Sequence, residues 1–153
     1  MLLIDQLRRL LSGKSSTVLV FEGEPGIGKS RLLSFALALG SQAGLKTACA
    51  AAESQHAGAP YLVSRQILLQ LAGLTAYDAE RMRAWLQSQL TKLPELADSL
   101  PLLNELFPLG LPDSGALRAL GPAGRRDGLS QLIVAIIAAE CRNGLLLVVE
   151  DAH

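Results

Sequence analysis

The sequence predicts an α/β fold with helices on both faces of a parallel sheet, and three observations carry that expectation. Thr17 to Phe21 (Thr-Val-Leu-Val-Phe) and Leu145 to Val149 (Leu-Leu-Leu-Val-Val) are continuous apolar runs of strand length, the pattern of parallel strands covered on both faces. The first run passes directly into a glycine-rich loop and then into a helical pattern. A chain of 153 residues, 50% hydrophobic and 18% charged, has the size and apolar content of one domain with a buried core.

The remaining elements follow in order. Leu2, Leu3, Leu7, Leu10 and Leu11 recur at helical spacing opposite Asp5, Gln6, Arg8 and Arg9, which predicts a short amphipathic helix ending near Ser12. After the strand and loop, Lys29 to about Leu39 reads as a helix stopped by Gly40. Leu45 to Ala52 is a second strand, weakened by its alanines. Gln55 to Pro60 is a loop, and Tyr61 to Leu74 and Ala79 to Leu90 are helices. Pro94 to Gly124 holds five of the seven prolines, so it is expected as short turns and loops laid over the core, an insertion and not a linker. Arg126 to Cys141 returns to a helical pattern that Asn143-Gly144 breaks before the last strand.

Composition narrows the function classes. Fourteen basic and fourteen acidic side chains cancel, so no overall field recruits a polyanion or an acidic membrane surface. Cys49 and Cys141 lie in apolar surroundings with no metal-ligand spacing and read as buried structural thiols. Charges interrupt the Met1 to Leu11 stripe, which excludes a signal peptide, and no apolar run approaches the roughly 20 residues that span a bilayer. The expected location is the cytoplasm. His56 and His153 have no recognisable nucleophile partner, and Trp85 and Tyr77 are expected to pack on the leucine-rich helices.

The chemistry sits at Gly23 to Ser30, Gly-Glu-Pro-Gly-Ile-Gly-Lys-Ser. Closely spaced anionic oxygens need many converging donors, and side chains cannot supply enough of them in so small a volume. Gly23, Gly26 and Gly28 let the backbone curl its N–H groups inward, and the helix that follows adds a partial positive charge. Lys29 can reach the β- and γ-phosphates, and the Ser30 hydroxyl suits Mg²⁺. Pro25 stiffens the turn, while Glu24, Ile27 and Arg31 complete the segment expected to hold the phosphates of a nucleoside triphosphate. ATP is favoured because the guanine-specifying Asn-Lys-x-Asp pattern does not occur.

Glu150 and Asp151 supply a second half. A carboxylate at the tip of a buried strand can hold Mg²⁺ directly or through water, and its neighbour can orient or deprotonate the water that attacks the γ-phosphate. Glu150 is favoured for Mg²⁺ and Asp151 for the water.

Gly-Glu-Pro-Gly-Ile-Gly-Lys-Ser-Arg-Leu-Leu at 23 to 33, with Leu-Leu-Leu-Val-Val-Glu-Asp-Ala-His at 145 to 153, resembles the P-loop ATPase module of the STAND and AAA-like signalling ATPases. Such modules occur in large LuxR-type transcriptional regulators and beside class III adenylate or guanylate cyclase domains. The resemblance implies a P-loop NTPase fold, three layers α/β/α about a five-stranded parallel sheet, of which about three core strands fall in this chain. In that fold the P-loop strand pairs with the fourth and fifth strands in sequence, so Thr17 to Phe21 is expected to lack both neighbours here. In that family the acidic pair is usually followed by His-Trp and a further acidic residue, a match that here runs only as far as His153, and its sensor residue and arginine finger are not found. Arg125 and Arg126 read as a solvated helix start.

These readings make residues 1–153 the N-terminal portion of one ATPase domain within a longer regulatory protein, with a covalently linked effector domain. The expected activity is ATP binding with slow Mg²⁺-dependent hydrolysis as a switch, the 153 residues alone being inactive. A second reading is a non-hydrolysing nucleotide-binding module that gates the effector. A third, a small-molecule kinase, is disfavoured because Tyr61 to Gly124 is leucine-rich and poor in clustered Arg or Lys. Expected partners are ATP or ADP and a second copy in a nucleotide-dependent oligomer. No membrane is expected, and nucleic acid only through another domain.

Overall fold

The computed structural model describes Asp5, Arg9 and residues 18–52, 61–141 and 144–151. Asp5 and Arg9 are helical, and the rest of the expected first helix lies outside the described residues, as do Thr17, the loop 55–60, His56, Asn143 and His153. The described elements are α1 (Lys29–Gln42), β1 (Lys46–Ala51), α2 (Leu62–Leu71), α3 (Ala79–Lys92), a 3₁₀ run (Pro94–Glu105), α4 (Gly115–Ala119), α5 (Pro122–Glu140) and β2 (Leu145–Glu150).

The fold is α/β. β1 and β2 form a parallel two-stranded sheet, with Lys46 opposite Leu145 and Ala51 opposite Glu150. Alternation gives each face its own lining. Ala48 and Ala50 pack with Ile67 and Leu71 of α2, and with Leu145 and Leu147 of β2. The alanines that weakened the strand pattern are what let α2 approach this closely. On the opposite face, Thr47 and Leu146 meet Gly40 of α1, where a Cβ would come within 2.8 Å of Leu146 Cδ2.

Gly40 therefore does not stop α1, as the sequence suggested. It is buried inside the helix at the closest approach to the sheet, and the chain turns four residues later at Gly44, with φ of +81°. A glycine chosen for close packing and one chosen for a left-handed turn look alike in sequence.

The expected strand over Thr17 to Phe21 is the main correction. Residues 18–21 carry no strand pairing, and Val18 and Val20 are 88% and 75% exposed. An apolar run becomes a strand only when another strand satisfies its backbone, and the sheet among the described residues consists of β1 and β2 alone.

The larger core is helical. Leu68 of α2, Met82 and Leu86 of α3, and Leu129, Leu132, Ile133 and Ile136 of α5 surround Leu100, Leu102, Leu103, Phe107, Leu109 and Leu117. The proline-rich segment is thus the centre of this core and not a cover over it. Pro94 stands at the start of a tight 3₁₀ winding that contains Pro101, and Leu100, Leu102 and Leu103 are buried along it. Tyr77 stacks on Phe107 with ring centroids 5.5 Å apart, Arg65 lies over both rings, and Trp85 packs between the two cores. Arg125 pairs with Glu105 and Asp113, fixing the start of α5 on the proline-rich segment.

The cysteines differ from the expectation of two buried thiols. Cys49 is half-buried and Cys141 is exposed, because α5 ends at Glu140 and Cys141 caps it at the surface. Burial raises both thiols above their ordinary range, helped by Glu150 at Cys49 and by Glu140 at Cys141. Among the described residues, no helix is long and apolar enough to cross a membrane.

Candidate phosphate-binding site

The glycine-rich loop is shaped by two left-handed residues, Gly26 with φ of +84° and Gly28 with φ of +98°. Gly28 is also the N-cap of α1, where an L side chain would be strained. No side chain caps this end, and the first turn has no acidic residue. Its N–H groups therefore have neither an intrahelical carbonyl nor a competing carboxylate, the condition under which a helix start attracts an anion.

Lys29 curls back into the loop. Its Nζ donates to the carbonyls of Gly23 at 2.7 Å and Glu24 at 2.9 Å, and Ile27 N donates to Glu24 O at 3.4 Å across the turn through Pro25. The ammonium charge thus lies within the curve of the loop. Gly23, Glu24, Pro25, Gly26, Ile27, Gly28, Ser30 and Arg31 are exposed, and Lys29 is half-buried. Ser30 sits in the first turn, its carbonyl accepting from Ser34 Oγ at 2.8 Å.

The acidic pair closes β2. Glu150 is the last strand residue and is half-buried; Asp151 is exposed and left-handed, with φ of +53°. Such a backbone is uncommon outside glycine, although Asp tolerates it better than most residues.

Ideal helix and strand rises, taken from the one contact at Gly40, carry the loop and the carboxylate toward the same end of the sheet. α1 runs back along the sheet, so that Gly40 lies beside Thr47 and Leu146 near the strand starts. From Gly40 to Ser30 the helix rises ~15 Å. From Leu146 to Glu150 the strand advances ~13 Å. Alternation keeps Leu146, Val148 and Glu150 on the face that α1 covers. The loop and Glu150 therefore share the carboxyl end of the parallel strands and the same side of the sheet. That is where open α/β sheets bind ligands.

The donor set fits a small hard cation held mainly by phosphate and water. Ser30 offers a hydroxyl, and Glu150 and Asp151 offer carboxylate oxygens, whereas among the described residues no group of three or more His, Cys, Asp or Glu gathers. Magnesium, which keeps several of its waters, asks for no more from the protein. Bound there, it would neutralise charge on the phosphate oxygens.

Contacts of three residues at this end were not legible in the sequence. Cys49 Sγ donates to Glu150 Oε1 at 3.8 Å. On the outer edge of β1, Gln70 accepts from Cys49 N at 3.0 Å and donates back to Cys49 O, and Gln66 accepts from Ala51 N at 2.9 Å. Two glutamines four apart on a helix were a legible pair, but nothing in the sequence says which strand edge they meet. A separate cavity of about 370 Å³, lined by Tyr61, Glu105, Leu120, Pro122, Arg125 and Arg126, contains none of the phosphate-loop residues.

A protein-family model described as "AAA ATPase domain" matches residues 2–153. No curated protein and no solved structure matches the chain.

Proposed function

Because the chain belongs to the AAA ATPase domain family, we propose that it binds Mg·ATP at the loop Gly23 to Ser30 and hydrolyses it slowly, as the switch of a longer regulatory protein. The observation that carries this reading is the loop itself. Gly28 opens α1 without a side-chain cap, and Lys29 is folded inward onto the loop carbonyls. A phosphate entering the curve meets backbone N–H groups, the positive end of α1 and the Lys29 ammonium together.

In this reading Ser30 and Glu150 hold Mg²⁺, Asp151 orients the attacking water, and Gly23, Glu24, Pro25, Gly26, Ile27, Gly28 and Arg31 complete the cradle. The residues form the N-terminal part of the ATPase domain. The exposed Val18 and Val20 support that assignment, since large apolar side chains left open to solvent beside the loop are surface that further parts of a domain would cover. The linked effector is the output, in the manner of the STAND, LuxR-type and cyclase-associated modules that the sequence resembles. Cytoplasmic residence and nucleotide-dependent oligomerisation belong to the same proposal.

The test is turnover in the full-length protein. Asp151→Asn is expected to retain ATP binding and to lower the hydrolysis rate by about 10²-fold or more, the typical contribution of a base that acts on the attacking group. Unchanged turnover in that variant would remove Asp151 from the chemistry. Tight ATP binding with no turnover in the wild type would replace the hydrolytic switch by the gating module.

A further inference from the structure

We propose that Cys49 is a positioning residue for Glu150, holding the carboxylate that receives Mg²⁺ in the orientation the metal needs; this rests on the assignment of Glu150 as a metal ligand. Three observations lead there. Glu150 ends its strand on the face shared with α1, and the residue paired directly opposite it is Ala51, whose methyl offers no polar group. One step back along β1 on the same face, the Cys49 thiol meets Glu150 Oε1 at 3.8 Å. Residues 48–52 read Ala-Cys-Ala-Ala-Ala, so Cys49 is the sole hydrogen-bonding side chain in that half of the strand.

The thiol is itself held in place. On one side the β2 ladder fixes the backbone of β1; on the other, Gln70 engages both the N–H and the carbonyl of Cys49, and Gln66 engages Ala51 N. Each glutamine takes up backbone groups that an edge strand otherwise leaves to solvent. The segment that carries Cys49 is therefore anchored along both edges. A carboxylate at a strand end has several rotamers open to it, and a weak S–H donor on a fixed backbone favours one of them.

The experiment measures the binding of a fluorescent ATP analogue to the full-length protein as Mg²⁺ is titrated, with a parallel measurement in EDTA. Cys49→Ala is expected to raise the half-saturating Mg²⁺ concentration about three- to tenfold, the range expected for losing one modest hydrogen bond. Affinity in EDTA, set by the loop alone, stays within about twofold. Cys49→Ser, which keeps a donor, is expected to restore the wild-type Mg²⁺ requirement. Glu150→Gln provides the reference for losing the carboxylate charge.

If Glu150→Gln raises the Mg²⁺ requirement and Cys49→Ala does not, the positioning role is wrong while the metal assignment stands. Should Glu150→Gln itself have no effect, the metal assignment fails and takes the positioning role with it. A Cys49→Ala protein that loses affinity equally with and without Mg²⁺, or that Ser does not rescue, shows a packing role and overturns the proposal.

Discussion

Lys29 is the residue on which the site turns, and its hydrogen bonds state what it does without ligand. An ammonium needs up to three acceptors, and here two are backbone carbonyls of the loop it follows in sequence. The side chain thus organises the loop, and under the proposed function a phosphate would replace these carbonyls as its partner. Lys29→Ala removes both the charge and the clamp. It is expected to lower the affinity for a fluorescent ATP analogue by at least about 10²-fold, the scale of a charged hydrogen-bonded contact together with its preorganisation. Binding at wild-type strength by a folded Lys29→Ala protein would contradict the site. This part of the molecule was legible in the sequence because it is local: eight consecutive residues contain the left-handed glycines, the cation and the helix start. The Cys49–Glu150 contact was not, since it joins residues about a hundred positions apart and exists only once the ladder has set their register.

Among the elements, the ends of four meet at Glu140, the last residue of α5. Its carboxylate, with only 9% of the side chain exposed, pairs with Lys46 at the start of β1 and with Lys92 in the last turn of α3. Lys46 also donates to Leu71 O at the end of α2. Burial alone would raise the Glu140 carboxyl, but hydrogen bonds and charge from Lys46 and Lys92 outweigh it and hold the group below its ordinary value of 4.5. A depressed carboxylate stabilises the fold fully above its unfolded value, and that contribution disappears as pH falls through the folded one. Glu140→Gln is therefore expected to cost about 1 kcal/mol near pH 7, limited by solvent screening at the partly exposed Lys46 and the exposed Lys92. That corresponds to a fall of roughly 2–4 °C in Tm for a chain of this size. The gap between wild type and variant should narrow in melts taken progressively below the ordinary carboxyl value of 4.5; a gap independent of pH would mean that packing, not charge, is what Glu140 supplies. Periodicity identified α3, α5 and β2 within a few residues because each has a strong apolar pattern. It misjudged the proline-rich segment, where prolines read as surface turns although the leucines between them fill the core.

Taken whole, the molecule is unevenly held. The proline-rich segment, α2, α3 and α5 share one continuous core in which Leu68, Met82, Leu103, Leu109, Leu129 and Ile136 are fully buried. The phosphate loop stands at the other extreme: residues 18–28 are exposed or half-buried throughout, and α1 contributes only Ala36 and Gly40 to the buried interior. Local opening is least costly where few apolar contacts are lost, so the two regions should differ in amide exchange. Backbone amides of residues 18–28 are expected to exchange near the intrinsic rate, and those of α3 and α5 orders of magnitude more slowly. Ligand that binds only the closed loop stabilises it by about 2.7 kcal/mol at a concentration of 100 Kd, enough to slow opening-limited exchange there about a hundredfold. Saturating Mg·ATP should therefore protect residues 23–32 and leave the buried face of α5 nearly unchanged, as read by hydrogen–deuterium exchange and mass spectrometry on the full-length protein. Protection centred instead on the cavity of Tyr61, Arg125 and Arg126, with none at the loop, would move the nucleotide to the starts of α2 and α5 and displace the site inferred from Gly23 to Ser30.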